Sequence, residues 1–193
     1  GNGQGEVVYY QNKDILATYQ GLLKDGYFDG IGIYNVFDRY RRTIEGSFKR
    51  GKLYKGIIKY ESGVFTDGIR DSTLNLHGQG KRGFKQNWPW GQNTELDAFY
   101  EGTFNHGALV NGKILKKMFT DERKEIIPVT WEGSFTGAVN QEVLNGQGEH
   151  CYPCNESFIL VYNWVKCWER GEFRDGKLYN GMAYEPTKGA YGR

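Results

Sequence analysis

The chain has no run that approaches the roughly 18 to 20 apolar residues of a membrane-spanning helix, and its opening residues do not form the apolar core of a signal peptide. It holds only 4 Pro, 2 Met, 3 His and 3 Cys in 193 residues. An odd cysteine count gives no disulfide framework, so the three read as ordinary turn and core thiols in a reducing compartment. Net charge is only +2, which leaves little long-range steering toward any polyanion, and no nucleic-acid partner is expected. With three histidines scattered among turns and return strands, no converging carboxylates and no serine on a nucleophile elbow, no enzyme and no cofactor is expected. The chain opens on Gly rather than Met and reads as part of something longer.

Glycine and aromatics are what the chain has in excess. There are 28 Gly, roughly twice the usual share of about 7%, together with 14 Tyr, 11 Phe and 5 Trp. Abundant glycine with abundant rings and few good helix formers calls for strands joined by tight turns. Collagen would need glycine at every third residue, and disordered chains lack aromatics.

The segment "LHGQGKRGF", Leu76–Phe84, has the Gly-x-Gly-x-x-Gly spacing of a dinucleotide loop. Such a loop must open a helix, and "KQNWPWGQN" cannot start one. The spacing is instead one instance of a repeat. Gly-Gln-Gly recurs at Gly3–Gly5, Gly78–Gly80 and Gly146–Gly148, and "SFKRGKLYKG" returns as "TFNHGALVNG" and "EFRDGKLYNG". The unit reads apolar, x, Gly, x, aromatic or Leu, x, x, Gly, then a second glycine-bearing strand. It begins at Tyr19, Ile44, Phe65, Tyr100, Trp131 and near Trp168.

This unit resembles the MORN repeat family over nearly the whole chain, in about six degenerate copies. The third copy lacks its first turn glycine and the fifth has a stretched turn between Gly137 and Gly146. The expected fold is all-β, with little or no helix: a single elongated, twisted antiparallel sheet of consecutive β-hairpin repeats, a meander. A partial repeat spans 1–18, followed by units at 19–43, 44–63, 64–98, 99–130, 131–167 and 168–193. Asp25-Gly26, Arg50-Gly51, His106-Gly107 and Asp175-Gly176 supply the positive-φ residue of each tight turn. Glycines recurring on one strand face imply close approach by something bulky, expected to be the rings of the neighbouring hairpin.

Insertions at Lys85–Ala98, Lys116–Thr130 and Tyr152–Lys166 fall between units and are expected on one border of the sheet. They carry the candidate partner-binding residues Trp88, Trp90, Ile126, Ile127, Tyr152, Tyr162 and Trp164. The plain alternative for Phe158–Trp168 is a long strand. Residues 39–59 hold eight cations against Glu45 alone, and Arg39, Arg41, Arg42, Lys49, Arg50 and Lys52 are candidates for anionic lipid. A solvated hairpin edge is the alternative there. His150, Cys151, Cys154 and Cys167 have the donor chemistry of a tetrahedral zinc set. Cys151 and Cys154 fall at an expected turn and a second close-spaced pair is missing, so no metal is assigned.

The resemblance implies a non-enzymatic scaffold or docking module, cytoplasmic and cytoskeleton- or membrane-associated. Members of the family occur in ciliary structures such as radial-spoke heads, in junctional membrane proteins, and as accessory parts of lipid kinases and a methyltransferase. The rival readings are peripheral binding to anionic phospholipid, glycan binding by exposed rings, and an accessory domain of a larger enzyme.

Overall fold

A computed structural model describes residues 2–84, 98–120, 125–158, 161–186 and 189–192. Every regular element among them is a strand, and strand order in the antiparallel sheet follows sequence order. The chain groups into two compact units, Gly1–Leu96 with Asn105–Gly107, and Asp97–Phe104 with Ala108–Arg193. The first contains β1 (Gly3–Gln11), β2 (Asp14–Lys24), β3 (Tyr27–Val36), β4 (Arg42–Lys49), β5 (Lys52–Tyr60), β6 (Phe65–Arg70) and β7 (Leu76–Phe84). The second is built on β8 (Ala98–Asn105), β9 (Ala108–Thr120), β10 (Glu125–Thr136), β11 (Val143–Phe158), β12 (Val161–Arg174), β13 (Lys177–Glu185) and β14 (Gly189–Gly192). Leu76–Phe84 is strand throughout, so its three glycines open no helix.

Register turns the repeat into a row of glycines running across the strands. In the first unit Gly5 faces Gly21, which faces Gly32, and the row continues through Gly46, Gly56, Gly68 and Gly80. In the second, Gly112, Gly133, Gly148, Gly171 and Gly181 follow one another in the same way. Gly102 packs on Gly112. Within each hairpin the two glycine backbones touch. A Cβ added at Gly46, Gly102, Gly133 or Gly171 would lie 2.7 Å from the Cα of the glycine opposite. Gly46, at φ +155°, sits in a mirror-extended region that only glycine enters without strain.

Here the structure departs from the expectation of rings laid over bare glycine by the next hairpin. The approach is mainly backbone to backbone. Side chains cover the row at a few positions: the Tyr19 ring lies over Gly32, Leu76 over Gly68 and Gly80, and Leu144 over Gly148, each within its own hairpin, while Leu23 of β2 lies over Gly5 of β1. Tyr19 is fully buried, and its hydroxyl donates to the Leu22 carbonyl at 2.8 Å. Around it, Phe28 stacks at 3.7 Å and Phe48 packs edge-on at 5.5 Å, with Leu53 completing the core of this unit. Phe104, Leu109, Leu144 and Phe173 take the corresponding buried positions in the second unit.

The four expected turns are present. Asp25 and Gly26 have φ of +51° and +82°, and Arg50-Gly51, His106-Gly107 and Asp175-Gly176 match them, as the tight hairpin turn requires. The structure adds a pairing of hairpins that the repeat did not reveal. The turn glycine of one hairpin donates its N–H to the preceding return strand: Gly51 to Phe28 O at 2.8 Å, Gly107 to Leu76 O at 2.8 Å, Gly176 to Leu144 O at 2.9 Å. Each accepting strand carries the Gly-x-Gly form, and each donating hairpin the Leu-x-x-Gly form. Buried Arg82 also donates to the Gly107 carbonyl.

The described residues of two of the three insertions are strand. Lys116–Thr130 extends β9 and β10, and Tyr152–Lys166 extends β11 and β12, which pair from Gly146↔Phe173 out to Phe158↔Val161. Alternating apolar and polar residues with many rings and β-branched side chains favour extension of the ladder over a loop. Lys85–97 lies outside the described residues.

Gly46→Ala is expected to cost about 3 kcal/mol or more, from strain plus overpacking, and to lower the melting temperature by roughly 6–12 °C. Gly26→Asn, at a position with open space and a left-handed φ that Asn tolerates, should cost under about 1 kcal/mol. Thermal melts of the two variants check this, and equal costs would contradict the role given to the row.

Candidate functional site

The basic stretch is continuous in sequence and divided in space. β4 is eight residues long, so its ends stand roughly 25 Å apart at about 3.3 Å per residue. Arg39, Arg41 and Arg42 lie at its start, on the border that carries the 37–41 and 61–64 connections. Lys49, Arg50 and Lys52 lie around the turn at its end, where Lys52 Nζ donates to Ser72 O at 3.4 Å. The six lipid candidates therefore do not form one patch.

The fold also brings acids to the first cluster that the linear count left out. Arg42 Nη1 meets the Asp38 carboxylate at 3.0 and 3.2 Å. Asp38 Oδ1 accepts the Tyr40 N–H at 2.8 Å, and this bond, with the arginine beside it, holds the carboxyl below the usual aspartate range. Arg41 Nη1 lies 4.0 Å from Glu61 Oε1, and the Glu61 N–H donates to Arg41 O at 2.9 Å. Arg39 places its guanidinium 4.6 Å over the Tyr40 ring. Phe37, Tyr40 and Tyr60 are exposed. Phe37 and Tyr60 border a cleft of about 520 Å³ lined also by Asn35, Arg42, Lys59 and Glu61, and Tyr40 and Tyr60 border a smaller one of about 350 Å³ with Arg39 and Ser62. The backbone beneath is anchored, with Phe37 N–H on Leu16 O and Tyr60 N–H on Val64 O, both at 2.9 Å. Rings and charges are thus presented from fixed positions.

The apolar candidates among the described residues lie on three consecutive strands, β10, β11 and β12. Trp88 and Trp90 lie outside the described residues. Ile126 and Ile127 sit in β10 opposite Phe119 and Met118, and Tyr162 and Trp164 in β12 opposite Ser157 and Asn155; their side chains are not among those described. Tyr152 is built into a stack: its ring lies 4.8 Å from His150, and His150 lies 5.0 Å from Trp131 at an interplanar angle of 10°. That ring is half-buried structure rather than a free contact.

The cysteine expectation is corrected. Cys154 and Cys167 form a disulfide between β11 and β12, with Cα atoms 5.7 Å apart. Register explains it, because Cys154 faces Val165 while Cys167 faces Tyr152, which makes the two cysteines diagonal neighbours on one face. An odd count excludes a full framework but not one bridge. Cys151 points to the other face and is a free, buried thiol that donates to Glu149 Oε1 at 3.1 Å; burial pushes its pKa up. The four-ligand set is therefore split, and among the described residues no three His, Cys, Asp or Glu side chains form a metal group.

One cluster had only a faint sequence signal, the Asp-x-Thr-x-Asn of a local turn. Asp71 Oδ1 accepts the Thr73 hydroxyl at 2.7 Å and the N–H groups of Thr73 and Asn75 at 2.9 and 3.0 Å. Its Oδ2 meets His106 Nδ1 at 2.7 Å. The Thr73 hydroxyl and His106 hold this carboxyl far below its ordinary range. Since His106 occupies the turn hooked to Leu76, the pair braces a junction between hairpins.

No protein-family model matches the chain, and no curated protein matches it.

Burial lowers the His150 pKa against the opposing pull of Glu169, whose Oε2 lies 3.7 Å from Nδ1. The unfolded chain therefore binds this proton more readily, and stability falls as pH drops through about 6.5, the unperturbed histidine value, toward the lower folded one. His150→Gln should flatten the denaturation midpoint between pH 7 and pH 5, and an unchanged slope would contradict the assignment. Reduction of Cys154–Cys167, separated by 13 residues, should cost about 3 kcal/mol by chain entropy. Unfolded without reductant, the chain should take one iodoacetamide by mass, and with reductant three; three adducts in both cases would refute the bridge.

Proposed function

We propose that the chain is a non-catalytic docking module for a protein partner, and that the Phe37–Arg42 and Tyr60–Ser62 border does the docking. The observation that carries this is the group of exposed rings, Phe37, Tyr40 and Tyr60, set among arginines on hydrogen-bonded connections beside a cleft. Aromatic side chains and Arg dominate interface energetics when they are held in place before contact. Carboxylates already engage Arg41 and Arg42, so the surface presents both signs of charge and fits a partner of mixed polarity.

The same ion pairs weaken the phospholipid reading. A cation near an anionic membrane contributes about 1 kcal/mol, and Asp38 and Glu61 offset two of the three arginines at this border. The likeness to MORN repeats points to a scaffold of cytoskeletal or ciliary type. The likeness and the odd cysteine count both suggest a cytoplasmic, reducing setting, and the Cys154–Cys167 bridge removes the second argument and speaks for an oxidising compartment instead.

Affinity capture from the native source with the wild-type chain and with Phe37→Ala/Tyr40→Ala/Tyr60→Ala tests the proposal. Specific captured proteins should drop by about tenfold or more with the triple variant, at an unchanged melting temperature. Identical capture by the two chains would remove this border from the account. Flotation with phosphatidylserine vesicles that is lost in Arg39→Glu and at high salt would favour the lipid reading.

A further inference from the structure

A second cleft lies at the opposite end of β4, where the Asp25-Gly26 and Arg50-Gly51 turns stand side by side. It measures about 860 Å³. The bond from Gly51 N–H to Phe28 O and that from Arg50 N–H to Asp29 Oδ2, at 3.4 Å, fix one turn against the other. Tyr27 and Tyr54 line the cleft and are 57% and 54% exposed. Lys24, Lys49 and Arg50 supply donors around it, and Asp25 and Asp29 supply acceptors.

The second unit shows what a covered version of this arrangement looks like. Tyr179 occupies the place of Tyr54 in its own Leu-x-x-Gly strand, and the Arg174 guanidinium lies 3.4 Å over its ring. In the first unit Lys49 stands where Arg174 does, and among the described residues no ring or cation stacks on Tyr27 or Tyr54. Two phenol faces are left open beside a cation excess of three to two.

We propose that this cleft binds an acidic saccharide. The C–H face of a pyranose ring suits the electron-rich face of an exposed phenol, and rigid tyrosines give contact area at low entropic cost. Ring hydroxyls need donors and acceptors together, which the alternation of Lys, Arg and Asp provides. The cation excess favours a sugar that carries carboxylates. A peptide would need an apolar pocket for an anchor side chain, and the only large apolar side chain lining the cleft, Phe48, is 5% exposed. The Cys154–Cys167 bridge adds an independent reason, because it fits an oxidising setting outside the cytosol, where acidic polysaccharides occur.

Calorimetric titration of the intact chain with oligogalacturonate, hyaluronate and alginate oligomers tests this, with neutral dextran and polystyrene sulfonate as controls. At least one uronate oligomer should bind saturably and dextran should not. Tyr27→Ala/Tyr54→Ala should weaken that binding about tenfold or more, while Tyr27→Phe/Tyr54→Phe, which keeps the rings, should stay within about threefold. Both tyrosines are exposed, so melting temperatures should agree with wild type and exclude misfolding as the cause. Absence of saturable binding to all three acidic oligomers would overturn the proposal. So would binding that survives the alanine pair, equal binding of polystyrene sulfonate, or occupation of the cleft by a peptide. The Phe37, Tyr40 and Tyr60 variant should leave saccharide binding intact, which separates this site from the docking border.

Discussion

Two backbones in this sheet meet where side chains would normally hold them apart. At Gly46 and Gly56 the hydrogen standing where a side chain would be points at the carbonyl of the residue before the partner glycine, Lys55 on one side and Glu45 on the other. Gly102 with Gly112 and Gly171 with Gly181 repeat the reciprocal arrangement. Cα–H···O contacts of this kind contribute about 0.5–1 kcal/mol each, and they form only if both positions are bare. A sheet built this way has a register that cannot slip by one residue without driving a side chain into the opposing strand.

Bare positions also decide where the large side chains go. Tyr19 can lie flat and fully buried over Gly32 because nothing projects from that strand beneath it, and Leu76 and Leu144 use the equivalent space. With the rings folded onto their own hairpins, the turn glycines are free to hook onto the strand before them. The hooks in turn set the Asp25-Gly26 and Arg50-Gly51 turns beside each other and create the cleft between Tyr27 and Tyr54. At the far end of the same strands, the longer 37–41 connection holds Phe37 and Tyr40 outward. The cleft between the turns thus follows from the backbone contact, and the other candidate surface from the length of the 37–41 connection.

Much of this was legible in the residues. Asp25-Gly26 and its three counterparts announced their turns, because few residue types accept the required φ. Glycine spacing announced the row and its common face. It did not announce what fills the space: a glycine shows that something comes close, and only coordinates distinguish a ring from a backbone. Gly30 and Gly32 look alike in sequence, yet the first bends its strand at φ +74° and the second belongs to the row. The basic stretch misled because Asp38 precedes it and Glu61 follows it, and pairing across strands is invisible to a linear count. Counting cysteines misled similarly, since parity says nothing about two residues placed diagonally by register.

Cross-strand Hα–Hα nuclear Overhauser effects tell the backbone row directly from the alternative of intercalated rings. Glycine-selective labelling should give strong Hα–Hα contacts for Gly46–Gly56, Gly102–Gly112 and Gly171–Gly181 in one spectrum. Glycine Hα protons that contact aromatic protons of the following hairpin instead, with those three cross-peaks missing, would contradict the account.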